Sequence, residues 1–204
     1  HQSRESETII FDLDSTHSDT HGDQASAAYN THYGVVGFHP IVAFDGVTGD
    51  FLRAKLRPGN VYTSNGAVAF IQPLIEHYNE KFPYTTPLLR GDSGFAFPGL
   101  YELCEEESVY YVIRLKSNPN LQRLADELHP STTPSDVTKG ERYYEETEYQ
   151  AKSWSKPRRV IIQSVRPAGE LFFTHSFFVT SLTDAFSPED IVHSYQKRGT
   201  MENY

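Results

Sequence analysis

From Thr8 to Asp14 the chain alternates Ile9, Phe11 and Leu13 with Ile10, Asp12 and Asp14. That period of two marks a strand with one buried face, and it puts two acids together on the other. After a polar stretch rich in His, Asp and Ser, residues 31–38, 40–44 and 51–56 read as further strands. Asp45-Gly46 and Thr48-Gly49 supply the turn between the last two, so an antiparallel meander is predicted. Between Ser64 and Phe82 the period changes: Val68, Ile71, Leu74, Ile75, Tyr78 and Phe82 recur at threes and fours, one helical stripe with Pro73 inside it. A short strand at 87–90, a Gly-Asp-Ser-Gly loop at 91–94, a helix over 98–107 and a strand over 109–115 then make a β-α-β unit with parallel strands.

Residues 118–184 depart from this rhythm, with a short helix near 121–128 and strands near 143–149, 158–165 and 176–182. They read as a β-rich insertion into a core made of residues 1–117 and 185–204. The last element opens at Ser187-Pro188-Glu189-Asp190, where Ser caps, Pro fits the first turn and the acids face the positive end of the helix dipole. Carried on at about 100° per residue, that helix brings Tyr195, Arg198 and Glu202 within about 60° of one another, able to address one site.

Composition narrows the class. At 204 residues with 38% apolar content the chain can build a sizeable core. No apolar run approaches the roughly 20 residues that span a bilayer, and His1 to Glu7 is too polar for a signal peptide, so a cytoplasmic domain without membrane contact is expected. The one cysteine, Cys104, beside Leu100 and Leu103 on an apolar helix face, excludes an internal disulfide and reads as core. A net charge of −9 excludes nucleic-acid binding by bulk electrostatics. The charge is uneven, though: residues 139–166 carry seven Lys/Arg against four Asp/Glu, which leaves the remainder at −12. The lack of an initial Met and the stop within a helical pattern set up an expectation of further flanking segments. His17 and His21 are spaced for a metal-binding helix but sit in loop-forming sequence, Gly91-Asp92-Ser93-Gly94 does not complete a nucleophile elbow, and neither zinc nor serine chemistry is expected.

The pattern that carries chemistry is acidic. Metal-assisted phosphodiester chemistry needs carboxylates on rigid elements converging on hard cations about 4 Å apart. An Asp on a central strand, an Asp at the end of a neighbouring parallel strand and an acid on a later helix meet that need, and Asp14, Asp92 and Glu202 occupy those places. Asp12, on the same strand face as Asp14, is the alternative to it. Trp154, among Lys152, Lys156, Arg158 and Arg159, has the makeup of a base-stacking residue, with an exposed hairpin tip as the plainer account.

The motifs Asp14-Ser15-Thr16, Arg90-Gly91-Asp92-Ser93-Gly94-Phe95 and Tyr195-x-x-Arg198-x-x-x-Glu202 resemble those of the DDE transposases of bacterial insertion sequences. The stretches His21-Gly22, Ala28-Tyr29-Asn30-x-His32-Tyr33-Gly34, His39-Pro40, Ala43-Phe44-Asp45-Gly46 and Arg57-Pro58-Gly59-Asn60 extend the likeness over almost the whole chain. The resemblance implies an α/β, RNase H-like fold: a mixed sheet of three antiparallel strands and two parallel additions, with a β-rich insertion before the last catalytic helix. It also implies Asp14, Asp92 and Glu202 as ligands for two Mg²⁺ ions, with Mn²⁺ as substitute, and Tyr195 and Arg198 as contacts to the DNA backbone. The implied activity is hydrolysis at transposon ends followed by strand transfer into target DNA, by a homodimer on DNA associated with the nucleoid. The same fold also serves nucleases and scaffolds that have lost catalysis.

Overall fold

The structure is a computed structural model that describes residues 8–16, 18–19, 27–30, 34–128 and 138–198. The alternating segment forms β1 (Thr8–Ser15) at the centre of the sheet. On one side it pairs antiparallel with β5 (Ile41–Asp45), which turns into β6 (Phe51–Lys55). Asp45 makes that turn: its carboxylate accepts from the Val47 amide at 3.0 Å and the Thr48 hydroxyl at 2.8 Å. On its other side β1 runs parallel to β7 (Thr86–Gly91), and β7 runs parallel to β8 (Tyr110–Leu115). The order β6-β5-β1-β7-β8 is the mixed five-strand arrangement expected of an RNase H-like core.

The meander differs from expectation at its first member. Residues 31–33 lie outside the described set, and β4 (Val35–Phe38) pairs with β2 (Ser18–Asp19) and β3 (Ala28–Asn30) in a small separate sheet. A strand has only two edges, and both edges of β1 are taken, by β5 and β7. The third antiparallel strand of the core is therefore the next one along, β6.

Helices cover both faces. On one side α1 (Ala67–Lys81), which runs through Pro73, and α2 (Pro98–Glu106) bury Phe70, Ile71, Ile75, Leu100 and Tyr101 against Ile9, Phe11, Leu13, Leu89 and Ile113. α3 (Pro119–Leu128) adds Leu121 and Ala125 to the same core. On the other side α4 (Pro188–Gln196) lays Ile191 and Val192 on Leu88, Val112, Ile161 and Phe178. Ser187 caps α4 by accepting from the Asp190 amide at 3.1 Å, with Pro188 following it, as the sequence suggests. Among the described residues no helix is long and apolar enough to cross a membrane.

The β-rich segment does not build a sheet of its own. β9 (Glu141–Tyr149), β10 (Arg158–Arg166) and β11 (Thr174–Thr180) continue the central sheet through antiparallel pairing of β11 with β8. The sheet thus reaches eight strands among the described residues. The tip between β9 and β10 folds down onto α2. Glu105 receives Arg158 at 2.9 and 3.2 Å and Lys156 at 2.9 Å, while the Ser155 hydroxyl donates to Glu102.

That docking corrects the reading of Trp154. It is neither a base-stacking residue nor an exposed tip but is 7% exposed, edge-on to Tyr101 and Tyr149, with the Arg158 guanidinium 5.6 Å from its ring centroid. Of the basic residues around it, Lys156 and Arg158 pair with Glu105 and Arg159 with Glu146. Trp154→Ala is expected to lose about 3–5 kcal/mol in denaturant unfolding, the usual loss for a buried aromatic; unchanged stability with weakened DNA binding would return Trp154 to the surface role. Burial alone would raise the Glu105 pKa, but hydrogen bonds from Arg158, Lys156 and Tyr111 outweigh it and hold the group below its ordinary 4.5. A depressed carboxylate stabilises the fold above its unfolded pKa and loses that contribution as pH falls through the folded one. Unfolding followed from pH 7 downward should therefore show a stability loss below about pH 4.5 that is smaller in Glu105→Gln.

Candidate active site

β1 and β7 are parallel and in register, with Leu13 beside Gly91, so Asp14 and Asp92 stand one step further on, at the same ends of adjacent strands. Neighbouring strands are about 4.8 Å apart, and residues at equal positions on parallel strands point to the same face. Asp92 continues the extended backbone (φ −75°, ψ −176°) and then starts a single 3-10 turn, Ser93–Phe95, by accepting from the Gly94 amide at 2.8 Å. The Asp14 carboxylate accepts from the Ser15 amide at 2.8 Å and from the Arg198 guanidinium at 3.0 Å, and its side chain is 34% exposed.

Asp12 is held differently. It is buried at 3% exposure, and both its oxygens are taken by Arg90, at 2.6 and 2.5 Å. Arg90, itself 1% exposed, also donates to the carbonyl of Ser194 on α4. Gly46 closes over this pair: a Cβ there would sit 2.5 Å from Arg90 Nη2 and 2.7 Å from Asp12 Oδ2. Removing one partner of such a buried pair costs about 3–5 kcal/mol, so Asp12 is a poor candidate for exchanging its partner for a cation. Asp14, two positions along the same strand face, has no such constraint of burial.

α4 supplies the third side of the site. Arg198 lies just past the helix, and its guanidinium donates to the Leu13 carbonyl at 2.9 and 3.3 Å as well as to Asp14. Burial works against the Arg198 charge, but Asp14, Tyr195, Asp92 and Asp12 outweigh it and raise its pKa. Tyr195 packs its ring on Phe178 at 4.9 Å between centroids. Its hydroxyl pKa is raised by burial, with Arg198 and Arg114 acting to lower it and Asp92 to raise it. Tyr195 and Arg198 thus lie beside the two aspartates, with Arg198 engaged inside the protein.

Arg114 belongs to the same group and was not foreseen. Gly91 pairs with Ile113, which puts Arg114 beside Asp92, and Arg114 in turn pairs with Phe178 beneath Tyr195. A charge set within the apolar run Tyr110–Leu115 is the one sequence signal for it, and in the structure Arg114 is exposed. Glu202, with His17 and His21, lies outside the described residues. Among the described residues no group of three or more His, Cys, Asp or Glu could hold a metal. Asp14 and Asp92 nonetheless offer hard oxygen donors on one face, the chemistry that suits Mg²⁺ or Mn²⁺ rather than a soft metal. Cys104 takes no part: burial first, and Glu105 second, push its thiol pKa well up, so it stays protonated in the core.

In comparison with known proteins, no curated protein matches the chain in sequence. A cryo-EM structure of the piggyBac transposase synaptic complex with hairpin DNA is similar in fold, with a TM-score of 0.54 at 14% identity over 95% of this chain. The match covers 39% of the piggyBac chain. The family described as "Transposase DDE domain group 1" matches residues 1–204. The chain therefore belongs to the DDE transposase domain family.

Proposed function

We propose that this domain performs metal-dependent hydrolysis of DNA at transposon ends and then transfers the freed 3′-hydroxyl to target DNA. The observation that supports this best is the pairing of Asp14 and Asp92 at the ends of two registered parallel strands, with Asp12 withdrawn into its pair with Arg90. On this reading Asp14 and Asp92, joined by Glu202, hold two Mg²⁺ ions. Bound cations would supply an activated oxygen nucleophile and charge stabilisation at the scissile phosphate and the departing 3′-oxygen.

The chain's own residues act around that centre. Arg198 holds the Leu13 carbonyl and the Asp14 carboxylate, which fixes the side-chain direction of Asp14 before DNA arrives. Arg114, exposed beside Asp92, meets a phosphate next to the one that is cut. A guanidinium suits that task because its planar donors match two phosphate oxygens. Tyr195, resting on Phe178, orients the backbone from the helix side. Hydrolysis breaks one P–O bond at the 3′-oxygen, with water adding to phosphorus. Transfer then forms a new 3′-O–P bond and releases a target-strand 3′-hydroxyl. A homodimer, each copy serving one transposon end, fits the need to join two ends.

Two expectations follow for the complete transposase containing this domain. Asp14→Asn and Asp92→Asn should each lower Mg²⁺-dependent end cleavage by at least about 100-fold, the scale of losing several kcal/mol of charge stabilisation. Cleavage gels on end-bearing duplexes check this, and a joined product separates a transposase from a nuclease of the same fold. Wild-type cleavage by Asp92→Asn would rule the proposal out. Arg114→Ala should weaken binding alike on different sequences and shift the slope of log affinity against log salt by about 1; a change confined to one end sequence would mean that Arg114 reads a base.

A further inference from the structure

The loop from Arg57 to Asn65, between β6 and α1, borders both aspartates and is held from inside the protein. Arg57 is buried at 5% exposure. Its guanidinium collects carbonyls: His39 at 2.9 Å, Tyr62 at 3.4 Å, Thr63 at 3.0 Å and Asn65 at 2.8 Å. Nη2 stays buried with no hydrogen bond among the described residues. His39 adds to the grip, since its Nδ1 donates to the Val61 carbonyl at 2.8 Å. Gly59 passes so close to the Ala28 and Gly37 carbonyls that a Cβ would lie 2.5 Å from each.

A buried guanidinium is a costly way to shape a surface loop, because the charge must leave water and collect neutral acceptors. The place where the loop is held shows its use. The Thr63 hydroxyl is 3.1 Å from that of Ser15, the residue after Asp14. Thr63 also crowds Gly94, two residues after Asp92, where a Cβ would meet its Cγ2 at 2.8 Å. Thr63 therefore bridges the end of β1, which carries Asp14, and the turn that follows Asp92. The preceding residue, Tyr62, has its carbonyl fixed by Arg57 and its side chain 79% exposed. An aromatic ring on a backbone fixed this firmly spends little entropy when it becomes a contact surface.

We propose that Tyr62 is a DNA contact of this site, its ring stacking on a base next to the scissile phosphate. The proposal rests on the reading of Asp14 and Asp92 as the cleavage centre. A base presents a π-face whatever its identity, so the contact positions DNA without selecting a sequence, and the exposed ring suits an unpaired or splayed base at a strand end. An overall charge of −9 makes such a non-ionic contact useful, since the domain cannot hold DNA by charge alone.

The test uses the complete transposase and end-bearing DNA with 2-aminopurine placed in turn at each position flanking the cleavage site. Stacking quenches this base, so the wild type should quench it at one flanking position. Tyr62→Ala should lose that quenching and raise the KM for cleavage by about 5- to 150-fold, the range for one base–aromatic stack. Tyr62→Phe and Tyr62→Trp should keep both. Because the side chain is exposed, thermal unfolding should be the same in all these variants, which separates a contact from a fold defect. Wild-type quenching and KM in Tyr62→Ala, with cleavage still abolished by Asp14→Asn, would overturn the proposal and leave the cleavage centre standing. Lost quenching in Tyr62→Ala together with full cleavage by Asp14→Asn would remove the cleavage-centre reading and keep the DNA contact.

Discussion

Asp12 and Arg90 bury opposite charges between two parallel strands, and the rest of the site is arranged around that pair. Its contribution to stability is small in net terms, because desolvating both groups offsets most of their attraction. Its effect is on placement. Arg90 spans β1, through both Asp12 oxygens, and α4, through the Ser194 carbonyl, from a position on β7. Any slip between the strands, or rotation of α4, would leave a buried charge without a partner. Gly46 seals the arrangement from above, where a Cβ would sit within 3 Å of both charged groups and force one of them to shift.

Several consequences follow along one face of the sheet. With Leu13 and Gly91 in register, Asp14 and Asp92 emerge side by side where the strands end, and the pairing of Gly91 with Ile113 adds Arg114 to the same row. α4, tied by Arg90 and seated on Val112 and Phe178 through Ile191 and Val192, brings Tyr195 and Arg198 over these residues. The opposite face is apolar and packed by α1 and α2, so polar chemistry is confined to one side. The added strands β9 to β11 lengthen this platform and cover its far edge, with Trp154 fastening their hairpin to α2.

Much of this was legible in the sequence because it depends on local periodicity. Alternation from Ile9 to Asp14 identified β1 and the shared face of its acids, and the Ser187-Pro188 cap located the start of α4. The β-α-β pattern gave β7 and β8 as parallel neighbours, whereas the register of β1 against β7, which sets Asp14 beside Asp92, came only with the assembled sheet. What stayed hidden depends on partners distant in the chain. Strand periodicity does not distinguish Asp12 from Asp14; the motif Asp14-Ser15-Thr16 favours Asp14, and the physical distinction comes from Arg90, a residue 78 positions away whose charge would ordinarily suggest exposure. Arg114 became visible only once β8 was registered against β7. Trp154 misled for the same reason, since its basic neighbours read as a DNA surface until Glu105 appeared opposite them. β4 was misplaced because pairing choices depend on which edges remain open, a property of the assembled sheet. Glu202 lies beyond the described residues, and proposing it as the third acid rests on its helical spacing from Tyr195 and Arg198 and on the resemblance of Tyr195-x-x-Arg198-x-x-x-Glu202 to the family motif.

On the proposed reading the Asp12–Arg90 pair is structural and leaves Asp14 and Asp92 to hold the cations. Diffraction from crystals of the protein soaked in Mn²⁺, recorded for its anomalous signal, tests it most directly. The expected result is a peak bound by carboxylate oxygens of both Asp14 and Asp92, at about 2.0–2.2 Å, with Asp12 still paired to Arg90. A peak coordinated by Asp12, with Arg90 displaced, would contradict it.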